Sequence, residues 1–486
     1  MSTRRLVVFI TFLAIFAMAA RISVDTDTWW HLRAGQWMLE NRQIPQADPF
    51  SYTRGGEPWQ YPGWLVELPM IALYRLGGPG MLNLWTAAMV TLAFVFIWFT
   101  LSGSAFLRAF SLILAATVSA VYWAARPYLV TFLLAAVFLW ALEDYRWRSR
   151  DRLWWLPVLM IVWVNSHGGF IAGFLIWGVY TFYALLKWAL GRLGKTENDP
   201  ANGRRLLRLL VIGGFMLAAV CINPSSTAMV PYAFKTVRIG ALQDYIQEWQ
   251  TPNFHLLHVQ PFAWLLLLTF GVVGASRRRI ALTDFLLFSG FAYMGLLAGR
   301  NVALFALAAP IVLTRHADPL LAAVGRKLGY RRREPAPTTR PARVLNWILL
   351  VLVLMAALIK AGSVVPPAVN QKAFRDSLPV SAVEYLHTAN LPGKLFNSYN
   401  WGGYLLWALP EYPVFIDGRT DLYNDEVIGE WLQVVRAEPG WEDTLARRGI
   451  NLILLEKGML VSRLLEQNPD WKLVHSDELS VIYARR

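Results

Sequence analysis

Apolar runs alternate with short polar segments from the N-terminus to about residue 362. A helix needs roughly 20 mainly apolar residues to cross the hydrocarbon core of a bilayer. The pattern predicts about 11 such spans, several of them short or interrupted by Gly and Pro. They are expected near residues 6–23, 81–101, 104–124, 128–142, 153–164, 170–190, 206–222, 261–275, 281–298, 302–314 and 344–361. The fold class predicted is a polytopic α-helical membrane protein.

Basic residues concentrate in every second segment between these spans. They occupy residues 4–5, 108, 146–152, 187–208, 277–279 and 315–343. Because basic loops tend to stay in the cytoplasm, the pattern predicts a cytoplasmic-membrane protein with its N-terminus inside and its C-terminus outside. The segment 315–343 would then be a cytoplasmic linker that attracts anionic membrane lipids.

The composition agrees with this class. Of 486 residues, 56% are hydrophobic and 16% are charged. The net charge of +14 does not indicate nucleic-acid binding, since the basic residues lie in short loops between spans. Cys221 is the single cysteine, so one chain cannot form a disulfide or a Cys-based metal site.

The first outer segment, residues 24–80, is too long for a simple turn. Residues 28–41 have the spacing of an amphipathic helix, with Trp30, Ala34, Trp37 and Met38 on one face. A second helix is predicted over 63–76. The many Trp and Tyr side chains here are typical of the headgroup zone, so both helices are expected along the membrane surface.

The composition changes after Lys360. Residues 363–486 contain more acidic than basic residues and no run long enough to span. Helical segments at 379–388 and 426–436 mix with β-rich runs at 413–416, 452–455 and 479–483, the pattern of an α/β unit. Two domains are predicted: a membrane domain over 1–362, and a soluble extracytoplasmic α/β domain over 363–486.

Asp25 and Asp27 follow the first span and lie two residues apart. In an extended backbone both carboxylates point to the same side, where they could bind one hard cation such as Mg²⁺ or Mn²⁺. The alternative is that Asp27 caps a helix starting at Thr28 and that Asp25 is only solvated. His31 could ligate the same metal or orient Asp27, or it could simply pack between aromatic rings.

The outer segment 223–259 offers two further acids. If residues 240–249 are helical, Asp244 and Glu248 share one face, and one of them could supply a remote acid to the same site. Each could instead be an ordinary exposed carboxylate.

Three groups are predicted where spans reach the outer surface: Arg126, His167 and the pair Arg300-Asn301. A cation at this depth is costly without a partner, and a lipid phosphate would be a suitable one. The same side chains could instead extend toward water or pair internally.

Two motifs mark the C-terminal segment. Asp417-Gly-Arg419-Thr-Asp421 follows an apolar run, so it is expected to be a strand end and turn with a buried salt bridge; a catalytic role is the alternative. Trp401-Gly402-Gly403-Tyr404 is expected to pack this segment onto the membrane part, or to line the groove for an acceptor.

These features together resemble the GT-C superfamily of polyprenyl-phosphate-dependent glycosyltransferases. The architecture carries the resemblance, as do short motifs similar to those of bacterial members: Asp27-Thr-Trp-Trp-His31-Leu, Trp163-Val-Asn165-Ser-His167-Gly-Gly, Glu248-Trp249 and Asn397-Ser-Tyr-Asn-Trp401-Gly-Gly-Tyr404. The last is loosely similar to the Trp-Trp-Asp-Tyr-Gly signature of oligosaccharyltransferase catalytic subunits. Gly402 or Gly403 replaces the Asp of that signature, so recognition of a peptide sequon is not implied.

The resemblance implies an inverting transfer of sugar from a polyprenyl-phosphate donor to a glycan, lipid or protein acceptor at the outer membrane face. A first-loop Asp would act as base or metal ligand. The candidates are Asp27, Asp25 and Glu248 for catalysis, Asp25, Asp27 and His31 for Mg²⁺ or Mn²⁺, and Arg126, Arg300, Asn301, His167, Trp30, Trp401 and Tyr404 for substrate contacts.

Two other functions fit parts of the sequence. A transporter or flippase of lipid-linked sugar should show acids or broken helices at mid-membrane and paired halves. The candidate acids are instead predicted outside the membrane, and no internal repeat is visible. A catalytically silent scaffold of the GT-C type is the third possibility.

Overall fold

The structure is a computed structural model that describes residues 1–197, 199–240, 245–329 and 338–486. Helices dominate it. They are α1 (Thr3–Ala19), α2 (Asp27–Asn41), α3 (Trp64–Trp98), α4 (Ala105–Ser119), α5 (Tyr128–Arg148), α6 (Trp155–Val164), α7 (Ile171–Arg192), α8 (Pro200–Val220), α9 (Tyr232–Val237), α10 (Gln260–Ala275), α11 (Leu282–Leu297), α12 (Val302–Lys327), α13 (Arg340–Ser363), α14 (Pro367–Arg375), α15 (Val380–Ala389), α16 (Tyr399–Ala408), α17 (Thr420–Val435), α18 (Trp441–Arg448) and α19 (Leu460–Gln467). Short 3-10 turns lie at Ala120–Tyr122, Gly168–Phe170, Ser226–Met229, Gln247–Trp249 and Gly299–Asn301.

Within the described residues, 6 helical segments are long and apolar enough to cross a membrane. They are Trp64–Trp98, Ala105–Tyr122, Tyr128–Arg148, Gly168–Arg192, Gly299–Lys327 and Arg340–Ser363. Helices α6, α10 and α11 are apolar but shorter. Each predicted span falls on a helix. However, α1 has only 17 residues, and α8 carries three arginines in its first half, so the predicted number of spans stays a prediction.

Helix α12 lies at the centre of the membrane part. Every residue from Val302 to Thr314 is buried, as expected for a helix that is apolar on all sides. It packs against α4, α10 and α11, while α3 packs against α1 and α5.

Helix α3 joins the predicted surface helix over 63–76 to the predicted span that follows. Its 35 residues are interrupted at Gly77 and Gly78, where Gly78 has a φ of +65° and a ψ of −157°. Only glycine adopts that conformation readily, so the break can occur at this position. The part before the break packs against α2, and the part after it belongs to the helix bundle.

The C-terminal segment contains a four-stranded sheet. Its strands are β1 (Lys394–Asn397), β2 (Ile450–Glu456), β3 (Trp471–Ser476) and β4 (Ser480–Arg485), in the order β1-β2-β4-β3. The pair β1–β2 is parallel and the other two pairs are antiparallel.

Sequence and structure agree in part over this segment. The predicted runs at 452–455 and 479–483 lie in β2 and β4, and the predicted helices lie in α15 and α17. The run 413–416 forms no strand. Val414 makes only an isolated bridge to Ser51 of the first loop, because the loop leaves room for one rung of pairing. The domain division at residues 362/363 stays a prediction.

The first loop and the C-terminal segment are joined by buried polar contacts. The guanidinium of Arg419 bonds Asp417 at 2.7 Å and Asp48 at 2.6 Å, and all three side chains are inaccessible to solvent. Thr53 also donates a hydrogen bond to the carbonyl of Phe415 at 2.6 Å. The buried salt bridge predicted for residues 417–421 is present, with Asp48 as an additional partner.

Helix α16 packs directly on α2 through the predicted docking motif. A Cβ at Gly403 would lie 2.6 Å from the carbonyl oxygen of Thr26, so only glycine permits this approach. The rings of Tyr404 and Trp29 meet edge to face, with centroids 5.3 Å apart. The C-terminal segment is therefore held against the start of α2.

Candidate functional site

A cavity of about 720 Å³ lies where the first loop, the ends of several helices and the C-terminal segment meet. The sequence candidates Asp27, Glu248, Arg126, Arg300, Asn301, His167, Trp30 and His31 all line it. Their positions in the chain are far apart, so the cavity is built by tertiary packing.

Asp25 fixes the start of α2. Its Oδ1 accepts hydrogen bonds from the backbone N–H groups of Asp27 at 3.0 Å and Thr28 at 3.2 Å. These are free N–H groups of the first helical turn. The capping alternative for Asp27 is therefore wrong: Asp25 satisfies the helix end, and the Asp27 side chain projects into the cavity.

Arg126 lies at the centre of the acidic groups, just before Pro127 and α5. Its guanidinium is 2.9 Å from Oδ2 of Asp27, 3.0 Å from Oε2 of Glu248 and 3.5 Å from Oδ2 of Asp25. The structure thus brings together all three predicted catalytic acids around one predicted phosphate contact.

Two of the acids that line the cavity, Asp27 and Glu248, differ in their proton affinity. Burial and the negative charges of Asp25 and Glu248 raise the pKa of Asp27 to about 7, against the opposing charge of Arg126. Burial also acts to raise the pKa of Glu248, but Arg126 and Arg300 outweigh it and bring that pKa to about 2. Near neutral pH, Asp27 can therefore exchange a proton while Glu248 stays ionised.

Only one oxygen of Asp27 is held by Arg126. Its Oδ1 has no hydrogen-bond partner among the residues that the structure describes. This oxygen faces Gly418, where an added Cβ would come within 1.9 Å of it. Only glycine at position 418 therefore permits this close contact with Asp27.

Arg300 is less fully paired than Arg126. Its Nη1 lies 3.5 Å from Oε1 of Glu248, and its guanidinium stacks on the ring of Trp249 at 4.4 Å. Most of its five N–H donors remain available to an anion in the cavity. Glu248 lies in the turn Gln247–Trp249 rather than in a long helix, and Asp244 lies outside the described residues.

His167 presents a single nitrogen to the cavity. Its Nδ1 accepts the N–H of Gly169 at 3.0 Å and is 2.8 Å from the hydroxyl of Thr131. Burial and the charges of Arg300 and Arg126 lower the pKa of His167 to about 3, so the ring is neutral and its proton is on Nε2. His167 can therefore act as a neutral hydrogen-bond donor.

His31 pairs with Glu67 and not with Asp27. Its Nδ1 is 2.5 Å from Oε1 of Glu67, a fully buried carboxylate on α3. Burial lowers the pKa of His31, so the ring is neutral.

The residues expected to bind Mg²⁺ or Mn²⁺ have other partners in this arrangement, and binding of a divalent metal stays a prediction. Asp25 and Asp27 share a guanidinium, and His31 faces Glu67. Within the described part of the chain, no group of three or more His, Cys, Asp or Glu is placed to hold a metal ion.

Two of the predicted substrate contacts lie elsewhere. Trp401 is buried within the α16 packing and does not line the cavity. Tyr404 lines a second, smaller cavity of about 360 Å³ together with Trp29 and Trp407.

The sequence did not indicate several wall residues, among them Trp59, Tyr61 and Gly418, nor did it indicate Glu67, the partner of His31. One sequence feature could have drawn attention to Glu67: it is an acidic residue on the apolar helix predicted over 63–76. Nothing in the sequence marks it as the partner of His31.

The chain was compared with known proteins. No family model and no curated protein sequence matches it. The oligosaccharyltransferase AglB from Archaeoglobus fulgidus, in complex with an inhibitory peptide and a dolichol-phosphate, has a TM-score of 0.54 and 12% sequence identity. The match covers 94% of this chain and 70% of AglB. The arabinofuranosyltransferase AftD from Mycobacteria has a TM-score of 0.51 and 15% identity, over 100% of this chain and 40% of AftD.

Both matched structures are GT-C glycosyltransferases, so the resemblance seen in the sequence is confirmed at the level of the fold. Together with the membrane-length helices, they identify the chain as a multi-pass membrane protein with the GT-C fold.

Proposed function

We propose that the protein is a glycosyltransferase that moves a sugar from a polyprenyl-phosphate-linked donor to an acceptor at the outer face of the cytoplasmic membrane. The observation that carries the proposal is the state of Asp27. One of its oxygens has no hydrogen-bond partner among the described residues, its pKa is about 7, and it lines the same cavity as Arg300. The complex of AglB with a dolichol-phosphate supports the donor class.

The residues have separate roles in the proposed reaction. Oδ1 of Asp27 takes the proton from the acceptor, whose heteroatom forms a bond to C1 of the sugar. The bond between C1 and the phosphate oxygen breaks, its electron pair stays on the polyprenyl phosphate, and the configuration at C1 is inverted. A base with a pKa near the working pH is well suited to this step.

The developing phosphate charge requires fixed donors. Arg300 supplies charged N–H groups and His167 supplies a neutral Nε2–H. Arg126 is bonded to three carboxylates, so its role in the proposal is to hold Asp27 and Glu248 in place. No step is assigned to a metal ion.

The test is to incubate purified protein with polyprenyl phosphates carrying different sugars and to follow sugar transfer or donor hydrolysis by mass spectrometry. Asp27→Asn removes the base and keeps the size of the side chain. It is expected to fold normally and to lower transfer by at least about 10²-fold. Asp443→Asn, at an exposed position on α18, is the matched control. Undiminished transfer by folded Asp27→Asn protein would refute the proposed role of Asp27.

A further inference from the structure

One end of the cavity is lined by buried polar atoms that have no partner. The indole N–H groups of Trp30 and Trp59 and the hydroxyl of Tyr61 are buried and make no hydrogen bond to any described residue. Trp59 and Tyr61 are only 5% and 4% exposed. A buried polar group without a hydrogen bond is unfavourable, so three in one wall indicate a ligand that supplies the missing bonds.

The same three side chains form an aromatic wall. The rings of Trp59 and Tyr61 have centroids 4.3 Å apart, and Trp30 lies 6.2 Å from Trp59. Beside them, the Nε2 atom of His31 has no partner among the described residues, because Nδ1 is used by Glu67. The wall therefore offers flat apolar faces edged by hydrogen-bonding groups.

A hydroxyl-rich ring matches this wall better than an anion does. A sugar has C–H faces that pack on aromatic rings, and its hydroxyls can accept hydrogen bonds from the indole N–H groups and exchange hydrogen bonds with the hydroxyl of Tyr61 and the imidazole of His31. A phosphate in this place would lie near the carboxylate of Asp27. The neighbouring cation, Arg419, is already paired with Asp48 and Asp417.

The wall adjoins the proposed base. A Cβ placed on Gly418 would lie 1.9 Å from Oδ1 of Asp27 and 3.3 Å from Nε1 of Trp30, so both atoms border one small space. A sugar ring bound to Trp30 would therefore place its hydroxyls or its C1 beside Asp27.

We propose that Trp30, Trp59, Tyr61 and the His31–Glu67 pair form a subsite for the hydroxyl-rich ring of an uncharged sugar. The proposal rests on the proposed glycosyltransferase function and names the part of the substrate that this wall binds. The sugar belongs either to the lipid-linked donor or to a glycan acceptor.

The test measures equilibrium binding of the donor without turnover, and a separate transfer assay measures the KM for an acceptor glycan. The probes are undecaprenyl phosphate and the same lipid carrying mannose, glucose or arabinose. The variants are Tyr61→Phe, which removes only the orphaned hydroxyl, and Trp30→Phe, which removes an orphaned N–H. Tyr293→Phe, on a ring that is 64% exposed and outside the cavity, is the matched control.

If the subsite holds the donor sugar, Tyr61→Phe and Trp30→Phe each weaken binding of the best sugar-bearing lipid about two- to tenfold and leave bare undecaprenyl phosphate within about twofold. If it holds an acceptor glycan, donor binding is unchanged and the KM for the acceptor rises by a similar factor. Equal weakening of the bare lipid, or no change in either measurement, would overturn the proposal. Sugar-dependent binding without any transfer would instead leave the subsite standing and refute the proposed function.

Discussion

The backbone N–H of Asp27 donates a hydrogen bond to the side chain of Asp25 at 3.0 Å. Two acids that look alike in the sequence therefore have different positions: Asp25 binds the N–H groups at the start of α2, and Asp27 faces the cavity. This difference can be tested by substituting each acid separately.

Removing the Asp25 carboxylate should destabilise the start of α2. We expect Asp25→Ala to lower the free energy of unfolding by about 1 kcal/mol, the usual cost of losing a side-chain acceptor at a helix N-terminus. Asp25→Asn keeps an oxygen in the same place, so it should retain most of this stability. Thermal unfolding in detergent gives the comparison, and an equal loss in both variants would contradict the assigned role.

The rate of transfer should rise with pH around the pKa of Asp27. The base must be ionised, so activity should be low at acidic pH, half-maximal at about pH 7 and level off at higher pH. The negative charge of Asp25 raises this pKa. Removing it in Asp25→Asn makes Asp27 easier to ionise and should shift the midpoint to lower pH. Initial rates at saturating donor measure both profiles; an unshifted midpoint would show that the two carboxylates are not coupled.

Arg300 and Arg126 should respond differently to substitution. Arg300→Gln should weaken donor binding about 10- to 100-fold, the equivalent of one charge-assisted hydrogen bond. Arg126→Gln leaves three carboxylates without their shared cation, so it should raise the pKa of Asp27 further and move the activity midpoint to higher pH. Arg238→Gln, at an exposed position in the outer segment 223–259, is the control for donor binding. Donor binding at wild-type strength after both Arg300 and Arg126 are replaced by Gln would argue against a phosphate contact at this site.

The predicted orientation can be tested by chemical labelling. In a Cys221→Ser background, a cysteine at exposed Glu442 should react with an impermeant thiol reagent in intact cells. A cysteine at Arg150, or at Arg332 in the basic linker, should react only after the cells are permeabilised. The reverse pattern would invert the topology and place the cavity in the cytoplasm.

Arg419 should be essential for the junction between the first loop and the C-terminal segment. Arg419→Met leaves Asp48 and Asp417 buried without a cation, which should cost about 3–5 kcal/mol. Arg436→Met breaks an exposed pair with Glu438 and should cost less than about 1 kcal/mol. Denaturation of both variants in the same detergent gives the difference, and similar losses would show that the buried ion pairs contribute little.

The sequence predicted those parts of the molecule that depend on local pattern. Helix α2 follows from its apolar spacing, and the gathering of Asp27, Arg126, Glu248 and Arg300 follows from placing each residue on the same side of the membrane. The sequence did not predict which side chains pair between different helices. His31 was expected beside Asp27, four residues earlier, but it bonds Glu67 on another helix. Whether Asp25 or Asp27 accepts the free N–H groups of α2 depends on the residue at which its first turn begins. Hydrophobic periodicity does not locate the start of a helix to within one residue.

The contact between Asp48 and Arg419 joins positions 371 residues apart. Because a ribosome synthesises the chain from its N-terminus, Asp48 has no partner until Arg419 has been made. Gly418 and the part of the cavity wall that it forms are made at the same stage. A nascent chain inserted in the membrane therefore carries Asp27 in an open cleft, and the enclosed site forms only after residues 418–419 have been synthesised.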